Sequence, residues 1–386
     1  MPTRWLLGTL LLCSLARSQG FHDREIMIPW AQAGQGLHGL LVYADLPGKH
    51  PLAVLTHGTS LDMPDRHAVS PWAMLPQATW FARRGWVAIV VVRRGYGLSG
   101  GRPDYLFPYF LDAGRAAAED LTAAIDYARG LPQVDASRIL AAGVSTGGLA
   151  AVALTAAPPP GLVAAVNFAG NNGSRGDHTL PKADELVSAF RSFGKHSRTP
   201  MLWVYAENDR FIWPELARQC EAAFRGAGGQ DQLIIAPAIG HDGHSLYTHI
   251  GAWSPLVDDF LKAQNLVWFP APLPAPDAPE QASPPGLTEA GQHIFHGYEM
   301  CGPHKAFAMS ETGVGVSCAQ LTPEAAKQKA IQNCRHRSEG KKCKLVSVDG
   351  TYAGRQGPAG DSVPYSSVLY PLENISLARA QRLQPR

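Results

Sequence analysis

Residues 139–148, Ile139-Leu140-Ala141-Ala142-Gly143-Val144-Ser145-Thr146-Gly147-Gly148, decide how this chain folds. The run 139–144 has no polar side chain, which suits a strand covered on both faces rather than one with a wet side. A G-x-S-x-G pattern then makes a sharp turn, and a helix-forming stretch follows over 146–156. That order gives the glycines a steric reason. A serine at such a turn takes strained backbone angles, and the residues two places away on either side come too close for a Cβ. The serine oxygen stands clear of the strand end, with a helix N-terminus behind it that favours developing negative charge. Ser145 is therefore the candidate nucleophile.

On either side of this turn, short apolar runs alternate with amphipathic stretches. Strands are expected at 40–43, 52–56, 87–92, 139–144, 163–168, 201–205 and 233–235. Helices are expected near 72–84, 112–129, 146–156 and 214–227, with Gly85 and Gly130 placed as C-caps. The alternation predicts an α/β fold, a mostly parallel sheet with helices on both faces. The chain has 386 residues, 45% hydrophobic, which is ample for such a core and too apolar for a disordered protein. Its 39 Gly and 31 Pro follow no fixed period, which excludes a collagen-like architecture.

A serine hydroxyl needs a base, and the base needs an orienting acid. On a sheet of this kind the acid follows the nucleophile in the chain, and the histidine follows the acid. After the run 201–205 comes Ala206-Glu207-Asn208-Asp209. Asp209 is preferred over Glu207, because it lies just past a strand end where a carboxylate faces the sheet's carboxyl edge. After 233–235 comes Ile239-Gly240-His241-Asp242-Gly243-His244-Ser245. His244 is preferred over His241, because Gly243 suits a loop that reaches back to the nucleophile. A metal site at these two histidines lacks a well-placed third ligand, so no metal is expected. The tetrahedral oxyanion needs preorganised donors. The backbone N–H groups of Thr146 and of Thr59, in His57-Gly58-Thr59, are the candidates. His57 precedes the nucleophile in the chain and is read as structural support for that loop.

These segments, with Arg94-Gly95-Tyr96-Gly97-Leu98-Ser99-Gly100 and residues 207–214 and 240–245, stand in the order and spacing of one family. Over roughly residues 25–265 the chain resembles the α/β-hydrolases, and more narrowly the dienelactone-hydrolase-like esterases. The resemblance implies a Ser145, Asp209, His244 hydrolase that cleaves carboxylic esters through an acyl-enzyme, with a small-molecule ester as partner and no cofactor. Dienelactone hydrolases proper use a cysteine nucleophile, so Ser145 favours ordinary esters over lactones. A serine peptidase on the same fold and a catalytically idle binding protein are the alternatives. The G-x-G-x-x-G at 95–100 runs into Gly101-Arg102-Pro103 instead of a helix, so it does not read as a dinucleotide site. Only about 32 residues separate Phe168 from Met201, which argues against a large lid. Phe211, Trp213 and Leu180 are candidates for the site mouth and equally for ordinary packing.

The two ends read differently. Residues 1–20 carry Arg4, an apolar run over 5–15 and the small residues Ala16 and Ser18, as in a signal peptide. The run is too short for a comfortable membrane span, and a lipoprotein site at Cys13 is disfavoured by Leu12. A secreted or periplasmic protein with no integral span in the mature chain is expected. Residues 270–285 hold seven prolines, which marks a stiff linker. The expected domains are thus 21–268 for the catalytic body, 269–287 for the linker and 288–386 for a small cysteine-containing unit. Lys plus Arg number 34 against 32 Asp plus Glu, and removing Arg4 and Arg17 with the leader brings the balance to 32 against 32. A neutral protein is a poor binder of nucleic acid through phosphates. From Gly286 onward 12 basic residues face 8 acidic ones, +4, which leaves −4 for the mature body. The run Lys341-Lys342-Cys343-Lys344 is read first as a solvated face and second as a contact with the cell envelope.

Cys220 stands alone and reads as a buried apolar residue. Cys301, Cys318, Cys334 and Cys343 suggest two disulfides in an exported chain, with three connectivities open. Their spacings contain no C-x-x-C pair, which disfavours zinc. A short hairpin, a helix over 323–335 capped by Thr322, and a strand over 344–348 are expected there. This segment resembles the small cysteine-bearing domain of exported bacterial proteins. The resemblance implies no activity, only disulfides compensating for a thin core in an α+β unit.

Overall fold

Eight strands make the main sheet: β1 (Phe21–Ile28), β2 (Leu37–Ala44), β3 (His50–Thr56), β4 (Val87–Val91), β5 (Val134–Val144), β6 (Leu162–Phe168), β7 (Met201–Ala206) and β8 (Asp231–Ala236). This computed structural model describes residues 20–107, 109–269, 271–275 and 283–352. The expected signal peptide up to residue 19, part of the proline-rich linker and the tail beyond residue 352 lie outside the described residues. The strands lie in the order β1-β2-β4-β3-β5-β6-β7-β8. Strand β2 runs antiparallel to both its neighbours, and every pairing from β4 to β8 is parallel. This is the α/β-hydrolase sheet.

Period-two alternation splits the core into two layers. On β3, Leu52 and Val54 face one layer while Ala53 and Leu55 face the other. The first layer is closed by α3 (Phe110–Arg129), α4 (Thr146–Ala156), α5 (Ala183–Gly194) and α6 (Pro214–Gly226), through residues such as Leu121, Leu149, Phe190 and Phe224. The second is closed by α2 (Leu75–Ala82) and α7 (Ile250–Ala263), through Trp80, Phe81, Trp253 and Phe260. A short helix, α1 (Met63–His67), lies between β3 and α2. Each large apolar side chain buried this way contributes about 1.5–3 kcal/mol. Apolar runs without a polar face therefore identify the central strands, and β3 to β7 stand where the sequence places them.

The differences have local causes. Strand β1 was not expected, because Asp23, Arg24 and Glu25 interrupt its apolar pattern. It is an edge strand in which only Ile26 and Ile28 are buried, and charges on an edge discourage unwanted pairing. Helix α5 was also missed, although Leu186, Ala189, Phe190 and Phe193 give it a buried stripe at helical spacing.

The C-terminal unit has a second sheet, β10-β9-β11-β12, formed by β9 (Ala306–Met309), β10 (Val314–Ser317), β11 (Lys344–Val348) and β12 (Thr351–Tyr352). Helices α8 (Glu289–Glu299) and α9 (Pro323–Arg337) pack with it. The Thr322 hydroxyl caps α9 by accepting from the Ala325 amide at 3.1 Å. Disulfides join Cys301 to Cys318 and Cys334 to Cys343, which resolves the three connectivities and removes the zinc alternative. Cys220 is buried in α6, as its isolation suggested. The unit rests on the body beside the turn Pro71–Met74: a Cβ built on Gly302 would come 2.8 Å from the Trp72 ring. Trp72 in turn donates its indole N–H to Glu25 of β1. No helix among the described residues is long and apolar enough to cross a membrane.

Candidate active site

The turn after β5 has the steric character its sequence implies. Ser145 has φ 57° and ψ −122°, a left-handed region that L-residues rarely occupy. It is held there by hydrogen bonds on both sides. Its amide donates to the Phe168 carbonyl at 2.9 Å, and its carbonyl accepts from Leu149 and Asn171. A Cβ on Gly143 would lie 2.3 Å from the Gly147 carbonyl oxygen, and one on Gly147 would lie 2.5 Å from the His57 oxygen. Neither backbone can recede, so both glycines are required. Ser145 is the N-cap residue of α4, which points the helix N-terminus at its position.

Asp209 lies just past β7 and is completely buried. Its Oδ1 accepts from the amides of Phe211 at 2.8 Å and Ile212 at 2.9 Å. The Nδ1 of His244, in the loop after β8, lies 3.1 Å and 3.0 Å from the two Asp209 oxygens. A buried carboxylate held by two amides fixes the imidazole so that Nδ1 carries the proton and Nε2 is free to accept one. Glu207 and His241, the rival acid and base, are both exposed. Gly243 is there for space: a Cβ on it would come 2.5 Å from the Ala206 Cβ and 2.6 Å from the Asn208 Oδ1.

Two residues that sequence reasoning missed hold this histidine loop. Asn208 donates from Nδ2 to the Ile239 carbonyl at 3.1 Å and accepts from the Ile239 amide at 2.9 Å. Asp242 accepts from the amides of His244 at 3.0 Å and Arg210 at 3.1 Å. Together they staple the loop after β7 to the loop after β8. Phe211 stacks on the His244 ring at 4.6 Å, which makes it a mouth candidate that touches the site. Trp213 packs against the His178 ring in a tilted pair, and Leu180 is buried in the core, so Leu180 is ordinary packing.

The loop after β3 lies directly against the serine. A Cβ on Gly58 would come 3.0 Å from the Ser145 Cβ and 3.6 Å from its Oγ. Neither the Thr59 nor the Thr146 amide is taken up by a hydrogen bond among the described residues. His57 is buried and accepts at Nε2 from the Arg93 amide at 3.0 Å, while Nδ1 donates to the Gly58 carbonyl at 2.6 Å. Burial, with the Arg93 charge nearby, holds its pKa well below the usual histidine value. His57 is therefore a neutral strut between the two loops, as its place in the chain suggested.

Arg93, Tyr96 and Asp104 also stand behind the site without having been singled out. Arg93 is completely buried and pairs with Asp104 at 2.6 Å. Two arginines directly after the apolar strand β4 were the available signal, since a buried guanidinium requires a partner. The second, Arg94, finds Asp120 of α3 at 2.7 Å. Burial, opposed by Arg94, pushes the Asp120 carboxyl up to about 7. The G-x-G-x-x-G segment forms a tight loop, with Gly95 at φ 73° against Pro103, and the next helix, α3, begins only at Phe110.

Residues 39–181 match the family model of the X-Pro dipeptidyl-peptidases (S15 family). The matched segment contains Thr59, Ser145 and Thr146 and ends before Asp209 and His244. A search of curated proteins gave no match. Among solved structures, the chain is similar to a candidate dienelactone hydrolase from Klebsiella pneumoniae, at 17% identity and TM-score 0.44, covering 64% of this chain and 99% of that one. It is similar to a thermophilic esterase from Thermogutta terrifontis with propionate bound, at 20% identity and TM-score 0.45, covering 64% and 97%. An acylaminoacyl peptidase from Pyrococcus horikoshii is similar at 16% identity and TM-score 0.45, covering 65% of this chain and 43% of the peptidase. The fold assignment rests on the strand order described above.

Proposed function

We propose that this protein is an exported serine hydrolase that cleaves carboxylic esters of small molecules through an acyl-enzyme. The observation that carries the reading is a strained serine at the end of β5, at the same sheet edge as a buried aspartate hydrogen-bonded to a histidine. In the proposed reaction Ser145 Oγ attacks the ester carbonyl while His244 Nε2 takes its proton. Asp209 keeps the imidazole in the tautomer with Nδ1 protonated and stabilises the imidazolium. The amides of Thr59 and Thr146 receive the oxyanion. Collapse breaks the ester C–O bond, and His244 returns the proton to the departing alcohol. A water molecule, activated by the same imidazole, then releases the acid and regenerates Ser145.

Two disulfides support an oxidising compartment, secreted or periplasmic. The basic run at 341–344 supports a cell-envelope contact as a second, weaker partner. A peptidase is the alternative favoured by a specific finding, the family match over residues 39–181. The test is labelling with a fluorophosphonate probe, followed by turnover of a panel of esters and X-Pro peptides. Labelling at Ser145 with ester turnover supports the reading. Turnover of peptides alone replaces it with the alternative, and folded protein that does not label overturns both.

A further inference from the structure

Five side chains behind the serine close into a ring. Arg93 Nη2 lies 2.6 Å from Thr146 Oγ1, which lies 2.8 Å from Thr59 Oγ1. Thr59 Oγ1 lies 2.5 Å from the Tyr96 hydroxyl, and that hydroxyl lies 2.8 Å from Asp104 Oδ1. Asp104 Oδ2 returns to Arg93 Nε at 2.6 Å.

Chemistry fixes the direction of every bond. A guanidinium only donates and a carboxylate only accepts. Tyr96, whose phenol is pushed up by burial and by Asp104, keeps its proton and donates a hydrogen bond to Asp104. Thr59 must then donate to Tyr96, and Thr146 must donate to Thr59. Each hydroxyl donates once and accepts once, a head-to-tail arrangement in which the bonds polarise one another. Arg93 is held from a second side as well: Nη1 serves the Thr56 hydroxyl at 3.1 Å and the His57 carbonyl.

We propose that Arg93, Tyr96 and Asp104 are positioning residues for oxyanion stabilisation, acting by clamping Thr59 to Thr146 through their side chains. The inference rests on the serine-hydrolase reading above. Both threonine hydroxyl protons are used inside the ring, so the backbone amides alone face the developing charge. The ring also ties the loop after β3, the start of α4 and the turn Asp104–Leu106 into one unit. The two amides belong to segments 87 residues apart in the chain. Without a side-chain clamp their separation would depend on loop packing alone, and a displacement of about 1 Å at a reacting centre costs on the order of a hundredfold in rate.

The test uses the full-length protein with p-nitrophenyl butyrate, and Tyr96→Phe, Asp104→Asn and the double variant. Each single variant is expected to lower kcat by about ten- to a hundredfold with KM within about twofold, since the lost interaction acts on the transition state. The double variant should fall little below the worse single one, because a ring is already open once one link is cut. Should Tyr96→Phe fail to fold, Thr59→Val opens the same ring at its half-buried member and is read the same way. Wild-type kcat in a ring-opened variant, or losses that multiply in the double variant, overturns the positioning role while leaving the hydrolase reading intact. Wild-type protein that neither labels at Ser145 nor turns over ester overturns the hydrolase reading and this inference with it.

Discussion

At the scale of single residues, the choice between neighbouring candidates is made by burial and hydrogen bonding. His244 and His241 are three positions apart in the sequence, yet only His244 touches a buried carboxylate. His244→Ala should lower kcat by at least a thousandfold, and His241→Ala by less than about threefold, in steady-state ester hydrolysis. His57 offers a pH test. Its folded pKa is depressed, so the unfolded chain binds the extra proton below the ordinary value of about 6.5. Its contribution to stability is complete above that pH and is lost as pH falls through it toward the folded value. The slope is at most about 1.4 kcal/mol per pH unit. Denaturant unfolding at pH 7.5, 6.0 and 5.0 should show this loss in the wild type and a flatter dependence in His57→Gln. The candidate nucleophile, acid and base were legible because each follows an apolar run. Arg93, Tyr96 and Asp104 were not, because what makes them a unit is the convergence of two separate loops on a third.

At the scale of elements, the strand-turn-helix from β5 to α4 is specified by sterics more than by propensity. Gly147 sits in a helix that would otherwise favour alanine. Its missing side chain leaves room for the backbone of the β3 loop. Gly147→Ala should therefore destabilise the fold by about 2–4 kcal/mol and abolish labelling of Ser145, measured by denaturant unfolding and by the probe. Periodicity found the central strands because each contributes side chains to both core layers. It missed β1 because an edge strand with three consecutive charged residues carries only half a pattern. Helix α5 has the pattern in full, with Leu186, Ala189, Phe190 and Phe193 on one buried face within the short connection between β6 and β7.

At the scale of the whole molecule, an eight-stranded body carries a small unit of different construction. The body has two deep apolar layers, whereas the small unit has two thin clusters and two disulfides. Dithiothreitol should therefore melt α8 to β12 at a lower temperature than the body, seen as a separate calorimetric transition, while ester turnover at 25 °C stays within about twofold. Heat resistance also bears on position 145. At φ 57° a serine keeps its Cβ in a crowded backbone region, at a cost of about 1–3 kcal/mol that glycine would not incur. Glycine loses back about 0.5–1 kcal/mol in chain entropy. Ser145→Gly should thus raise the melting temperature by about 2 °C, read by scanning calorimetry, while making the protein inert toward esters. A scaffold shaped only for endurance would have relaxed that kink, so the hydroxyl there works against the heat tolerance of the chain that carries it.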